Sequence, residues 1–128
     1  MQPETILLVE DDRDIRAFTA ALLERSGYRV ITAADGDEGL LVYQNHQASV
    51  ALLLTDYKLP RSNGRALADR VLELTPELAV LVMTGDHPNV AGPYECIEKP
   101  VAAAELLRRI AALLDRSHKY AASKAMAS

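Results

Sequence analysis

The chain has 128 residues, is 49% hydrophobic and 25% charged, and carries a formal charge of −4 at neutral pH. That suits one soluble globular domain, leaves no room for two ordinary ones, and argues against a dedicated nucleic-acid binder, which needs a basic face. Its one cysteine, Cys96, excludes an internal disulfide and suits a reducing compartment; no leader-like N-terminus, zinc-type spacing or solenoid-length repeat is present, and no apolar run nears the ~20 residues of a bilayer span.

Residues 5–9 (Thr-Ile-Leu-Leu-Val) form a short apolar run, read as a first strand, and end in Glu10-Asp11-Asp12. A helix is predicted over about residues 12–26, with Ile15, Phe18 and Leu22 at helical spacing as its apolar stripe and Gly27 as its terminator. Residues 28–33 are rich in β-formers and give a second strand. Asp35-Gly36 makes a turn, and a second helix covers about residues 37–46. The apolar run over residues 50–54 reads as a third strand, buried on both faces and ending abruptly at Asp56.

Beyond it, Pro60, Ser62, Asn63 and Gly64 supply turn chemistry, and Asn63 caps a third helix with Leu67, Val71 and Leu74 on one face. Residues 79–83 give a fourth buried strand, closing in Thr84-Gly85-Asp86. Residues 87–93 hold two prolines and a glycine and are poor helix material. Residues 94–97 give a short fifth strand, ending in Glu98-Lys99-Pro100. The last helix is predicted over about 101–116, with Leu106, Ile110 and Leu113 inward; residues 117–128 form a tail or an extension of that helix. Strands alternating with helices imply right-handed crossovers and a parallel sheet covered on both faces.

In such a sheet the carboxyl ends of the strands share one edge, where open α/β folds place their ligands. Glu10 and Asp11, Asp56, Thr84 and Lys99 all fall there. Three carboxylates around one point repel each other, and a hard divalent cation such as magnesium relieves the cost, while a hydroxyl and an ammonium complete a cradle for a phosphoryl group. Each residue also has a plainer reading: Glu10, Asp11 and Asp12 as acids complementing a helix dipole, Asp56 as a cap or turn residue, Thr84 as a strand end, Lys99 as surface charge. Their common placement on one edge favours a site.

The order and strand-end placement of four motifs resemble the receiver domain of two-component response regulators. The motifs are Leu7-Leu8-Val9-Glu10-Asp11-Asp12-Arg13-Asp14-Ile15-Arg16, Thr55-Asp56-Tyr57-Lys58-Leu59-Pro60 with Asn63-Gly64, Met83-Thr84-Gly85, and Lys99-Pro100. The resemblance covers about residues 4–116. It implies a doubly wound five-stranded parallel sheet of order 2-1-3-4-5 and a receiver domain over residues 1–116. It implies Asp56 as phosphoacceptor, Thr84 as the hydroxyl that follows the phosphoryl group, and Lys99 as its ammonium partner. Asp11, Asp56 and the backbone carbonyl of Lys58 are the implied magnesium ligands, with Glu10 acting through a bound water and Asp12 one place too late to serve. A cis peptide before Pro100 is implied as well.

The implied function is a magnesium-dependent signalling protein, not an enzyme, located in the cytoplasm. It would take its phosphoryl group from a histidine kinase or a histidine phosphotransfer protein, lose it slowly to water, and act on a downstream protein target without contacting nucleic acid or membrane. The receiver of a hybrid histidine kinase or of a longer regulator is the alternative. A magnesium phosphohydrolase with Asp56 as nucleophile is a rival of another class, but Lys58 stands where such enzymes carry a second acid, and no residues remain for a cap domain.

Two departures from the family stand out. Cys96 occupies the position three before the lysine where an aromatic ring is usual, so the ring-rotation readout has no ring; Tyr94 lies two places earlier and keeps the same direction along a strand only without a bulge. The interval from Thr84 to Lys99 is also shorter than usual by about seven residues, roughly two helical turns, so the fourth helix is expected to be absent or reduced to a turn. Output is then expected from another face, at the first and last helices or the connection between the fourth and fifth strands. Lys58 and Asp86 flank the site mouth and are candidates for an ion pair.

Overall fold

The computed structural model describes residues 3–127. Five strands form one sheet: β1 (Thr5–Val9), β2 (Arg29–Ala33), β3 (Val50–Asp56), β6 (Ala79–Thr84) and β7 (Glu95–Glu98). A two-residue ribbon of β4 (Lys58–Leu59) and β5 (Ser62–Asn63) lies between β3 and the third helix. The main sheet runs β2-β1-β3-β6-β7 with every pair parallel. Counting only its own strands, this is the order 2-1-3-4-5 expected above.

Four helices cover the sheet: α1 (Arg13–Arg25), α2 (Gly36–Asn45), α3 (Gly64–Leu74) and α4 (Ala103–Ala127). Alternation along the strands divides the core in two, because successive side chains point to opposite faces. Leu7, Val9, Leu53, Val80 and Val82 meet Tyr43 of α2 and Leu67, Ala68 and Val71 of α3. Ile6, Leu8, Leu52, Leu54, Leu81, Met83 and Ile97 meet Leu23 of α1 and Leu106, Ile110 and Leu114 of α4.

The helix starts are set by side-chain caps. Asp12 accepts from the amides of Asp14 (2.9 Å) and Ile15 (3.0 Å), Asp35 from Glu38 (2.8 Å), and Asn63 from Ala66 (2.8 Å), satisfying amides that have no partner within the helix. Gly27, with φ +101°, follows the C-terminal end of α1 in a conformation that L side chains rarely adopt.

Three inward stripes differ from their prediction. On α1 the buried residues are Thr19 and Leu23, and Leu22 packs at the core margin as predicted, whereas Ile15 and Phe18 are 46% and 65% exposed. The Asp12 cap and a bond from Arg16 to the Glu10 carbonyl set the helix's rotation, and Leu23 is its fully buried anchor. On α3, Leu67, Ala68 and Val71 are buried, while Leu74, in the last turn, is exposed. On α4, Leu114 joins Leu106 and Ile110 in the core and Leu113 packs only at its margin. This helix begins at Ala103, beyond Pro100, and continues to Ala127.

Between β6 and β7 there is no α-helix, only a 3-10 turn over Pro88–Ala91. The prolines and the short interval account for this, and Ala91 of the turn is fully buried in the α2–α3 side of the core.

Candidate functional site

The carboxyl ends of β1, β3, β6 and β7 bring the sequence-predicted residues together. β1 delivers Glu10, which is 1% exposed. Its backbone amide donates to Ala33 O (3.1 Å), its carbonyl accepts from Arg16 Nη1 (2.8 Å), and its Oε2 accepts from the Asp12 amide (3.1 Å). Asp11 follows on the surface. Asp56 ends β3 and is 5% exposed. Lys99 follows β7, placed by its amide bond to Thr84 O (2.7 Å), and its peptide to Pro100 is cis, as the resemblance implied.

Lys99 Nζ lies 2.5 Å from Asp56 Oδ1 and 3.7 Å from Glu10 Oε1. Burial alone would lower its pKa, but the bond to Asp56 and the charges of Asp56, Glu10 and Asp11 outweigh burial and raise it, so the ammonium form is secured. Thr84 is buried, and its Oγ1 accepts from the Asp86 amide (2.9 Å), which leaves the hydroxyl proton free to donate. Asp56, Lys58, Thr84, Gly85, Asp86 and Lys99 line a recess of about 210 Å³. Across its mouth Lys58 Nζ and Asp86 Oδ2 stand 3.6 Å apart, Lys58 largely in solvent and Asp86 partly so.

Carboxylate oxygens of Glu10, Asp11 and Asp56 lie within 4.8 Å of one another. Glu10 Oε1 is buried and has no hydrogen-bond partner among the described residues; Lys99 reaches it only at ion-pair distance. Burial, followed by the charge of Asp56, pushes the Glu10 carboxyl up to about 7, against the lowering effect of its bond from the Asp12 amide. An orphaned buried carboxylate oxygen beside two further carboxylates is the donor set of a hard cation, so the cluster fits a divalent metal.

This has a consequence for the metal-free protein. A carboxyl whose pKa is raised on folding binds its proton more tightly in the folded state, so the stability linked to it is present below the unfolded pKa and is lost as pH rises through about 7. The metal-free protein is therefore expected to melt at a higher temperature near pH ~6 than near pH ~8, and Glu10→Gln to flatten that difference. Melting curves of the two proteins check this; an unchanged slope in Glu10→Gln would place its origin elsewhere.

Two contributions were not legible as site features in the sequence. Arg16, one turn into α1, holds the Glu10 carbonyl and so fixes the acidic loop. Gly64 opens α3 directly beneath Asp56: a Cβ there would come within 2.3 Å of the Asp56 carbonyl oxygen and 3.0 Å of Thr55 Cγ2. Its amide donates to Tyr57 O (2.7 Å), and the Tyr57 amide to Met83 O (2.7 Å), which stitches the chain after Asp56 to both α3 and β6. A glycine behind a capping asparagine was the available signal; the close approach was not. Asp12, by contrast, caps α1, its Oδ1 accepting from the Asp14 and Ile15 amides.

Comparisons with known proteins agree with this geometry. A family model described as the response regulator receiver domain matches residues 6–111. CpdR, a response regulator receiver protein of Brucella abortus (strain 2308), is 34% identical over 117 residues, covering 85% of this chain and 95% of CpdR. The transcriptional regulatory protein CpxR of Escherichia coli (strain K12) is 34% identical over 120 residues, covering 88% of this chain and 50% of CpxR; the chain thus spans half the length of that relative. Among solved structures, a CheY-like response regulator receiver domain protein from Methanospirillum hungatei JF-1 has a TM-score of 0.84 and 34% identity, over 92% of this chain and 98% of that one. With the strand order, the acidic cluster and the opposed lysine already in place, these matches establish that the chain belongs to the response regulator receiver domain family.

Proposed function

We propose that the chain accepts a phosphoryl group on Asp56 from a histidine kinase or histidine phosphotransfer protein and signals by contact with a downstream protein. The observation that carries this is the pairing of Asp56 with Lys99 Nζ at 2.5 Å beside the Glu10–Asp11 pair. An Asp56 carboxylate oxygen attacks the phosphorus of the donor's phosphohistidine. The O–P bond forms as the P–N bond breaks, and the electron pair leaves with the imidazole nitrogen. Lys99 pairs with one phosphoryl oxygen and the free Thr84 proton is donated to another.

Asp11, Asp56 and the Lys58 backbone carbonyl would hold magnesium, with Glu10 acting through a water. When bound, the ion neutralises the charge gathered between the acids and the phosphoryl oxygens. Lys58, exposed and paired with Asp86, supplies no second acid, which disfavours a phosphohydrolase. No helix among the described residues is long and apolar enough to cross a membrane.

The test is to incubate the protein with acetyl phosphate and magnesium and weigh it. A gain of one phosphoryl mass, prevented by a chelator, is expected; no gain would end this reading. The Lys58–Asp86 pair across the mouth is worth only ~0–1 kcal/mol as an exposed bridge. Lys58→Ala is accordingly expected to shorten the aspartyl-phosphate lifetime by up to about fivefold, the kinetic equivalent of ~1 kcal/mol, by uncovering the recess to water. Decay of the phosphorylated mass over time measures it, and an unchanged lifetime would show the pair to be kinetically idle.

A further inference from the structure

The connection from Gly85 to Tyr94 is anchored at both ends in a way that the missing helix and the missing ring make consequential. At its first end the Asp86 amide donates to Thr84 Oγ1 (2.9 Å), the hydroxyl that faces the Asp56 recess. At its far end Tyr94 and Cys96 both pack against the α2–α3 side of the core, so Tyr94 keeps the direction that a ring at position 96 would have. The Tyr94 hydroxyl donates to Asp69 Oδ1 of α3. One residue pair away, the Arg65 guanidinium of the same helix lies over Gly92, where a Cβ would come within 2.5 Å of Arg65 Cζ. Gly92 has φ +63°, so both its backbone and its lack of a side chain serve this contact.

Between the two ends the segment is braced by its own backbone. The Val90 amide donates to His87 O (3.1 Å), the Gly92 amide to Asn89 O (3.1 Å), and the Tyr94 amide to Ala91 O (3.3 Å). With residues 87–94 braced in this way, few residues remain to absorb a displacement at Asp86 as loop motion. A phosphoryl oxygen that draws Thr84 Oγ1 toward itself, taking up the free hydroxyl proton, pulls on the acceptor of the Asp86 amide bond.

We propose that residues 85–94 act as a strap that carries the phosphorylation state of Asp56 to α3, through the Asp86 amide on Thr84 at one end and through Tyr94–Asp69 and Arg65–Gly92 at the other. This rests on the proposed phosphoacceptor role of Asp56. It places the readout on α3, where Arg65 and Asp69 are exposed, and dispenses with a ring at position 96. Burial, then the Asp69 bond and charge, push the Tyr94 phenol up to about 12, so the latch stays a neutral hydroxyl donating to a carboxylate.

The experiment uses the full chain labelled with 3-fluorotyrosine, its Tyr94 signal identified among the five tyrosines by loss in Tyr94→Phe. Fluorine spectra and α3 amide shifts are recorded before and after acetyl phosphate and magnesium, with intact mass run alongside. Phosphoryl uptake is expected to move the Tyr94 signal and the amides around Arg65 and Asp69. Tyr94→Phe is expected to gain the phosphoryl mass as the parent does but to lose the α3 response. Thr84→Ala should leave the Tyr94 signal unmoved in the molecules that gain mass. A parent protein that gains mass while Tyr94 and α3 stay still overturns the strap and leaves the phosphoacceptor reading intact. A parent that gains no mass overturns both.

Discussion

Asp56→Asn is expected to gain no phosphoryl mass under conditions in which the parent chain is modified. Asparagine is nearly the same size and fits the end of β3, so the loss is chemical: an amide has no anionic oxygen to attack phosphorus. The environment sharpens the expectation. Asp56 is buried, Lys99 is aimed at it from 2.5 Å, and the Glu10 and Asp11 carboxylates lie within 4.8 Å, so no neighbouring acid shares its setting. Asp11 is exposed, and Glu10 has no lysine within hydrogen-bond distance. The substitution also removes one of two like charges facing each other, which relieves Glu10, while it deprives Lys99 of its main partner. Because these effects oppose, the variant should stay folded. Intact mass, paired with a melting curve to confirm folding, is the measurement; full uptake by a folded Asp56→Asn would move the acceptor to another residue.

Gly64→Ala is expected to be the most damaging single methyl that can be added near the site. The new Cβ would lie 2.3 Å from the Asp56 carbonyl oxygen and 3.0 Å from Thr55 Cγ2. A backbone oxygen at a strand end cannot rotate away as a side-chain tip can, so either α3 shifts from the sheet or β3 gives way. Overpacking of this kind costs about 1–3 kcal/mol, sometimes more, and should lower the melting temperature by roughly 4–11 °C. The displacement falls on Asp56, the proposed acceptor, so phosphoryl uptake should slow in the fraction that remains folded. Thermal melting and the time course of mass gain test the two effects separately. A variant that melts with the parent would show that α3 has room to move here.

The helices and strands announced themselves in the sequence wherever a single local rule governed them. Continuous apolar runs marked β1, β3 and β6 because a strand covered on both faces tolerates no polar alternation. Asn63 marked a helix start because the orphan amides of a first turn need a side-chain acceptor, whereas Asp35, read only as a turn residue, caps α2 in the structure. The prolines and glycine between Thr84 and Tyr94 left one 3-10 turn where an α-helix would need free amides. The acids, the threonine and the lysine were legible because parallel topology gathers strand ends on one edge.

What local rules do not contain is how a helix is rotated on its axis. Ile15 and Phe18 had the periodicity of a buried stripe, yet the Asp12 cap, the Arg16 bond to Glu10 and the Leu23 anchor turned that stripe outward, beside Val101 and Leu106. The same holds for distances between segments far apart in the chain. That Glu10 is shut away from water with one oxygen unpaired, that Gly64 grazes the Asp56 carbonyl, and that Tyr94 reaches Asp69 are facts of packing. Residue type and order decided which groups would arrive at the edge; only the docking of α1, α3 and the β6–β7 connection decided how close they stand, because approach distances depend on the whole set of surfaces that must fit at once.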